Sequence, residues 1–283
     1  MARIAIVTDT NASLPGEIVE KFGIIEVPIQ IQFGEESYVT GVDIDDEKLF
    51  QMIDARNVLP TTAAPSPAAF QNAYQRAFDE GADEVICICC SSKVSATLQA
   101  AELAKEYFPG RDISVVDSLQ LSLGEGFQVI GAAEAAANGA SRAEILNEIE
   151  HIRTHTYVYG ALPTLKYLAM GGRMGKLAAS FGNTLEVKPI LTTVDGKLEL
   201  LEKIRTWRKA KGRLVDLGVA CSEGKTIARV GLVHVNNEEG VKDLFTTLQE
   251  ELSINLEPLI TEFTPGLSVH TGSGVIAFVL ITA

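Results

Sequence analysis

Over roughly the first 150 residues, short β-branched runs alternate with amphipathic helical windows. That alternation is what an open parallel sheet wound with helices on both faces requires. The strand-like runs are 4–8, 24–31, 84–90 and 113–116, and helical windows open near Pro15, Asp46, Ser66 and Ala96. Residues 121–138 form an alanine-rich window that reads as a buried helix. Ser141-Arg142-Ala143-Glu144 is a capping box opening another. After about residue 156 the pattern changes to hairpins, with runs 189–194 and 197–201 flanking the two-residue turn Asp195-Gly196. A helix over 207–220, a strand over 228–235, a helix over 238–252 and strands over 259–263 and 275–282 follow. The 283 residues, 46% hydrophobic, suffice for two cores. The expected fold class is therefore α/β in two domains: residues 1–156 with a doubly wound, mostly parallel sheet, and 157–283 with a mixed sheet.

A net charge of −13 argues against a general nucleic-acid or anionic membrane surface, because polyanions are repelled at long range. The opening apolar run breaks at Asp9 and reads as a buried strand rather than a signal peptide. No uninterrupted apolar stretch reaches the roughly 18 residues a spanning helix needs. The expectation is a soluble, cytoplasmic protein with no membrane span, for which transient membrane contact stays open. Three of the four cysteines are Cys87, Cys89 and Cys90. Cys87 and Cys90 match CxxC only formally, since residues three apart in a strand face opposite ways about 10 Å apart. They read as small buried hydrophobes, and no metal is expected.

In open parallel sheets, ligands bind beyond the carboxyl ends of the strands, where helix N-termini offer free N–H groups. Here those ends carry Thr8-Asp9-Thr10-Asn11, Ser91-Ser92-Lys93-Val94-Ser95-Ala96-Thr97 and Asp117-Ser118. A further cluster, from Pro60 through Thr61 and Thr62 to Ser66, reads as a proline-bounded loop before a helix. Singly, Ser66 and Ser95 are ordinary N-caps. Together the hydroxyls could supply the several donors a buried carboxylate needs, without a fixed positive charge.

Residues 165–176 bring a helix to the pair Gly171-Gly172, either as a simple C-cap with an exposed Arg173 or as a functional turn. They are not a phosphate loop, since Met170 stands where the leading Gly would be and Leu177 follows Lys176. Residues 204–213, with Arg205, concentrate positive charge, either as a solvated helix face or as a docking patch for an anionic partner. His270 reads as the end of a strand before the turn Gly272-Ser273-Gly274, either structural or beside a ligand. His151 and His155 lack the Glu of a zincin motif and read as surface residues. No Ser-His-Asp order, nucleophile elbow or paired-carboxylate arrangement is evident, so binding is favoured over catalysis.

In order and spacing, these segments resemble the DegV proteins, bacterial fatty-acid-binding proteins that serve as substrate subunits of fatty acid kinase. The resemblance spans essentially the whole chain. It rests on Thr8-Asp9-Thr10, Thr61-Thr62 with Pro65-Ser66, Ser91-Ser92 through Ala101, Val116-Asp117-Ser118, residues 165–173, Lys188-Pro189-Ile190-Leu191, Asp195-Gly196-Lys197, Arg205-Thr206 and residues 270–274. It implies a long-chain fatty acid in a tunnel between or beside the domains, its carboxylate held by Thr62 and Ser95, with His270 beside the head group. It further implies that Arg205 faces the catalytic kinase subunit in recognition or phosphoryl transfer, and it makes Arg173 another head-group candidate. No catalytic residue and no cofactor beyond the bound fatty acid are implied. Departures are Thr10 and Ala63 for a usual Ser, Ala64 for Gln, Ala96 for Gly and Ser273 for Pro. The extra methyl of Ala96 leaves acyl preference open.

Burying about 14 methylenes at about 0.8 kcal/mol each offers on the order of 11 kcal/mol before ordering and desolvation are subtracted. The tail then provides retention, while Thr62 and Ser95 fix orientation. The rivals are an acyl hydrolase or other enzyme using Ser95 and His270, which would turn over substrate unaided, and a nucleotide-binding regulator. The first βα turn, Asp9-Thr10-Asn11-Ala12-Ser13, lacks the glycine fingerprint the latter needs.

Overall fold

The computed structural model describes residues 2–171 and 187–283. They form two compact units, the first of residues 1–43 and 62–154 and the second of 44–61 and 155–283. The excursion 44–61 clusters with the second unit, whereas a single division at residue 156 would leave it in the first.

The first unit runs β1 (Ile4–Asp9), α1 (Gly16–Phe22), β2 (Ile25–Val27), β3 (Gln30–Phe33) and β4 (Glu36–Val39). The excursion carries α2 (Asp46–Arg56) into β5 (Thr61–Ala63), followed by α3 (Pro67–Asp79), β6 (Glu84–Cys89), α4 (Thr97–Lys105), β7 (Asp112–Asp117), α5 (Leu123–Ala137) and α6 (Arg142–Thr154). Strands β2-β1-β6-β7 make an all-parallel sheet. Alternation in its central strands supplies two cores. Val7, Val85, Cys87 and Cys89 face Phe70, Tyr74 and Phe78 of α3 and Ala101 and Ala104 of α4. Ile6, Ile86 and Ile88 face Val129, Ala132 and Ala133 of α5 and Ile145 and Ile149 of α6. A strand covered on both faces reads as a continuous apolar run, which is why 84–90 shows no polar alternation. All four cysteines are buried and free, and Cys87 and Cys89, two apart on one face, bring their sulfurs to 3.6 Å.

The expected strand 24–31 is two strands. Pro28 has no N–H for a ladder, and the Ile29 amide donates to the Thr10 hydroxyl at 3.1 Å instead, so the chain turns out of the parallel sheet into β3. Strands β4-β3-β5 form a separate small sheet, so Thr61–Ala63, expected as loop, is a short strand.

The second unit continues with β8 (Thr156–Ala161), α7 (Lys166–Met170), β9 (Lys188–Val194), β10 (Lys197–Ile204), α8 (Trp207–Ser222), β11 (Ile227–His234), α9 (Glu238–Leu252), β12 (Leu259–Glu262), α10 (Pro265–Thr271) and β13 (Ile276–Thr282). Its sheet, β10-β9-β8-β13-β11-β12, is mixed, with only the β11–β12 pair parallel. Asp195 and Gly196, at φ 49° and 77°, close the β9–β10 hairpin in the left-handed region their residue types favour. Leu214 and Leu217 of α8 and Val241, Leu244 and Leu248 of α9 pack on Leu232, Phe278 and Leu280 of the sheet. His270, expected at a strand end, lies in helix α10, which opens with Pro265 at its first turn after Thr264.

Candidate functional site

The parallel register sets the strand ends of the first unit side by side, with Cys89 opposite Asp117 and Thr8 opposite both Ile88 and Glu26. Two carboxylates organise the loops that leave this edge. Asp9 accepts from the amide of Asn11 at 3.0 Å and from that of Cys90, just past β6, at 2.9 Å. Asp117 accepts from the amides of Ser92 at 3.1 Å and Leu119 at 3.0 Å.

Between them runs the loop from Ser91 to Ser95. The Ser91 carbonyl accepts from Val94 and Ser95 amides at 3.1 and 3.0 Å, and the Ser91 hydroxyl accepts from the Lys93 amide at 3.2 Å. Ser95 follows this turn, half-buried. Its Oγ lies 2.7 Å from Thr97 Oγ1 and accepts from the Thr97 amide at 3.3 Å. When Thr97 donates within the hydroxyl pair, the Ser95 proton is left to point at a ligand. Ala96 stands as the N-cap of α4 with no side-chain cap bond, and Ser95 serves the helix from one position earlier.

Thr62 is half-buried in the middle of β5. Four residues on, the Ser66 hydroxyl caps α3 by accepting from the Ala69 amide at 3.2 Å. Helix α3 ends at Asp79 and turns into the start of β6, so its N-terminus sits at the carboxyl edge of the sheet, the edge from which α4 also starts. The Tyr74 hydroxyl donates to the Ala101 carbonyl at 3.2 Å, tying the two helices together on one face. The N-termini of α3 and α4 thus lie at the same edge of the parallel sheet.

Sequence reading found no paired carboxylates, and the structure corrects this. Glu125, in the first turn of α5, is fully buried beneath Asp9, accepts from the Thr8 hydroxyl at 3.2 Å and is hydrogen-bonded to the Asp9 carboxyl. It gets there because Gly126 has no side chain: a Cβ at that position would stand 2.6 Å from the Ala12 carbonyl oxygen. Burial raises the Glu125 carboxyl well above its ordinary value, and the Asp9 charge adds to the rise. Burial raises Asp9 to about 6, opposed by the Cys90 and Asn11 N–H groups. Glu26 is raised to about 7 by burial and by Asp9. The available sequence signal was an acid, Glu125, in the first turn of a helix whose first eleven residues are all buried.

His270 and Arg205 belong to the second unit. His270 is buried in the second unit, where a Cβ on Gly171 would stand 2.4 Å from its Nδ1. Likewise a Cβ on Gly272, at φ 81°, would stand 2.5 Å from the Tyr167 ring, so α7 and α10 approach through two glycines. Two residues before His270, the Ser268 hydroxyl donates to Asp46 at 2.6 Å, and burial raises the Asp46 carboxyl to about 7. Arg205 is exposed at the junction of β10 and α8. Arg173 lies outside the described residues. An open groove of about 460 Å³, lined by Ser222, Lys225, Ile227, Leu252 and Ile254 among others, contains none of these candidates. Among the described residues no group of three or more His, Cys, Asp or Glu is placed to hold a metal, and no helix is long and apolar enough to cross a membrane.

A parallel sheet wound on both faces, with hydroxyl-bearing loops at its carboxyl edge and a second mixed-sheet unit, defines a two-unit α/β protein. The DegV family model, described as one of uncharacterised proteins, matches residues 3–283. A DegV domain-containing protein of Caldanaerobacter subterraneus subsp. tengcongensis is 32% identical, with 96% of each chain covered. Among solved structures, a DegV family protein from Thermus thermophilus, described for its fatty acid binding, superposes with a TM-score of 0.90 at 34% identity, covering 99% of this chain and 100% of its own. DegV of Bacillus subtilis, described as a fatty acid binding protein, gives 0.90 at 30% identity over the whole of both chains. The chain belongs to the DegV family.

Proposed function

We propose that this protein binds one long-chain fatty acid, with its carboxylate held by the hydroxyls of Thr62 and Ser95, and presents it to the catalytic subunit of a fatty acid kinase in the cytoplasm. The observation that carries the reading is the Ser95–Thr97 hydroxyl pair at the carboxyl edge of the parallel sheet. It leaves a neutral donor free for an anion at that edge. Fatty acid binding by two relatives of 30% identity or more, matched over nearly their full length, supports the choice of ligand.

In this reading His270 borders the head group, Arg173 is a further head-group residue, and exposed Arg205 meets the anionic surface or phosphoryl group of the kinase. The chain itself performs no chemistry. Its role is to keep the tail from water and to fix one carboxylate oxygen for attack on a nucleotide that the partner brings.

Organic extraction of the purified protein followed by quantitative mass spectrometry should give near-stoichiometric fatty acid. A hydroxyl bonded to a charged group contributes about 1.5–3 kcal/mol, so Thr62→Ala or Ser95→Ala should each weaken binding about ten- to hundredfold and lower phosphorylation by an added kinase. Unchanged binding and phosphorylation in both variants would refute the site. Turnover of an acyl ester by the chain alone would favour the hydrolase reading instead.

A further inference from the structure

The buried acids beneath the Ser91–Ser95 loop have no part in the function above, yet they touch its support directly. Asp9 holds the Cys90 amide, and one residue later the Ser91 carbonyl holds the Ser95 amide, so a shift at Asp9 reaches Ser95 through a single turn. Two carboxyl groups can hydrogen-bond to each other only if one carries a proton. Asp9 already accepts from two backbone amides, so the proton belongs on Glu125, whose Oε1 accepts from Thr8 and whose Oε2 is buried with no donor to accept from. An ionised Glu125 would leave that oxygen as a bare, unsolvated charge.

We propose that Asp9 and Glu125 share one proton and act as a positioning pair for the Ser91–Ser95 loop, setting how strongly that loop holds an anionic head group. The inference rests on the fatty-acid reading of the site. The titratable groups that face the pair are Glu26 from β2, Cys87, Cys89 and Cys90 from the β6 segment, and Asp117 beside Cys90. All are acids, so ionising any of them adds to a second negative charge on the pair rather than offsetting it. Loss of the shared proton therefore places a second negative charge under the loop and loosens the Asp9 contacts. By linkage, an anion bound above the pair makes that proton harder to lose.

The test is binding of radiolabelled palmitate between pH 6.5 and 9.5, together with hydrogen–deuterium exchange of peptides covering residues 90–97 in ligand-free protein. Wild type should lose at least about tenfold in affinity across the range, which is about 1.4 kcal/mol. Glu125→Gln carries a permanent amide donor toward Asp9, and its affinity should fall clearly less than that of wild type over the same range. Asp9→Asn should bind more weakly at every pH, because one of the two backbone amides then meets an N–H₂ group. The fatty acid's own ionisation is common to all three proteins and cancels in the comparison. Parallel pH profiles for wild type and Glu125→Gln would overturn the proposal, as would Asp9→Asn binding like wild type. If no variant binds palmitate at any pH, the fatty-acid reading fails, and exchange alone then decides the pair. Faster exchange of 90–97 in wild type than in Glu125→Gln at pH 9 upholds it, and equal exchange overturns it.

Discussion

Helix α5 offers a paired perturbation in which one substitution meets two different neighbours. At Gly126 an added Cβ would stand 2.6 Å from the Ala12 carbonyl oxygen, which is backbone and cannot rotate away. At Gly131 it would stand 2.3 Å from Ile152 Cδ1, the far end of a side chain that can. In either helical position alanine is intrinsically favoured over glycine by about 0.8–1.0 kcal/mol. Against this, pushing α5 away by roughly half an ångström is an overpacking cost of about 1–3 kcal/mol. The shift at Gly126 also strains the Ser122 amide bond to the Asn11 carbonyl, 2.8 Å, and the Thr8 bond to Glu125, each contributing about 1 kcal/mol. Gly126→Ala should therefore lose about 2 kcal/mol, while Gly131→Ala should stay within about 1 kcal/mol of wild type. At about 2–4 °C per kcal/mol for a unit of 150 or so residues, Gly126→Ala should melt about 4–8 °C lower in a circular-dichroism scan. A melting point at or above wild type for Gly126→Ala, or a larger loss for Gly131→Ala, would refute the idea that close approach to the 10–12 turn places Glu125.

Two further outcomes follow from buried groups in the second unit. The Asp46 carboxyl, raised from 3.8 to about 7, keeps a proton in the folded protein that the unfolded chain releases. Stability should therefore fall as pH rises from about 4 to 7 and level off above, by up to about 4 kcal/mol. Asp46→Asn, which can still accept from Ser268, should flatten this slope and raise the urea midpoint at pH 8; identical midpoints for the two proteins at pH 5 and at pH 8 would contradict it. Gly272→Ala meets both a left-handed φ of 81° and the Tyr167 ring, and should lower stability by about 2 kcal/mol, with an unchanged thermal melt as the contrary result.

Much of the chain was legible because local rules sufficed. The capping box at Ser141 is formed as expected, with the Ser141 amide donating to Glu144 at 2.7 Å, and Asp195-Gly196 closes its hairpin. Helix 238–252 and the apolar strand 84–90 were clear from periodicity, since burial on one stripe or on both faces leaves a distinct pattern. The hydroxyls at the strand ends could be named because parallel sheets present loops at one edge. The sequence by itself therefore determined the α/β class with a parallel and a mixed sheet, most element positions and the polar character of the candidate edge. Four features were decided only by tertiary structure. The break at Pro28 depends on a bond from Ile29 to Thr10, nineteen residues away, and the helix at His270 replaces a strand that its glycine turn suggested. The excursion 44–61 clusters with residues far along the chain through Asp46 and Ser268, 222 residues apart. The Asp9–Glu125 pair joins a strand end to a helix more than a hundred residues later. An acid's protonation and partner depend on what surrounds it in space, and linear order carries no record of which buried groups will meet.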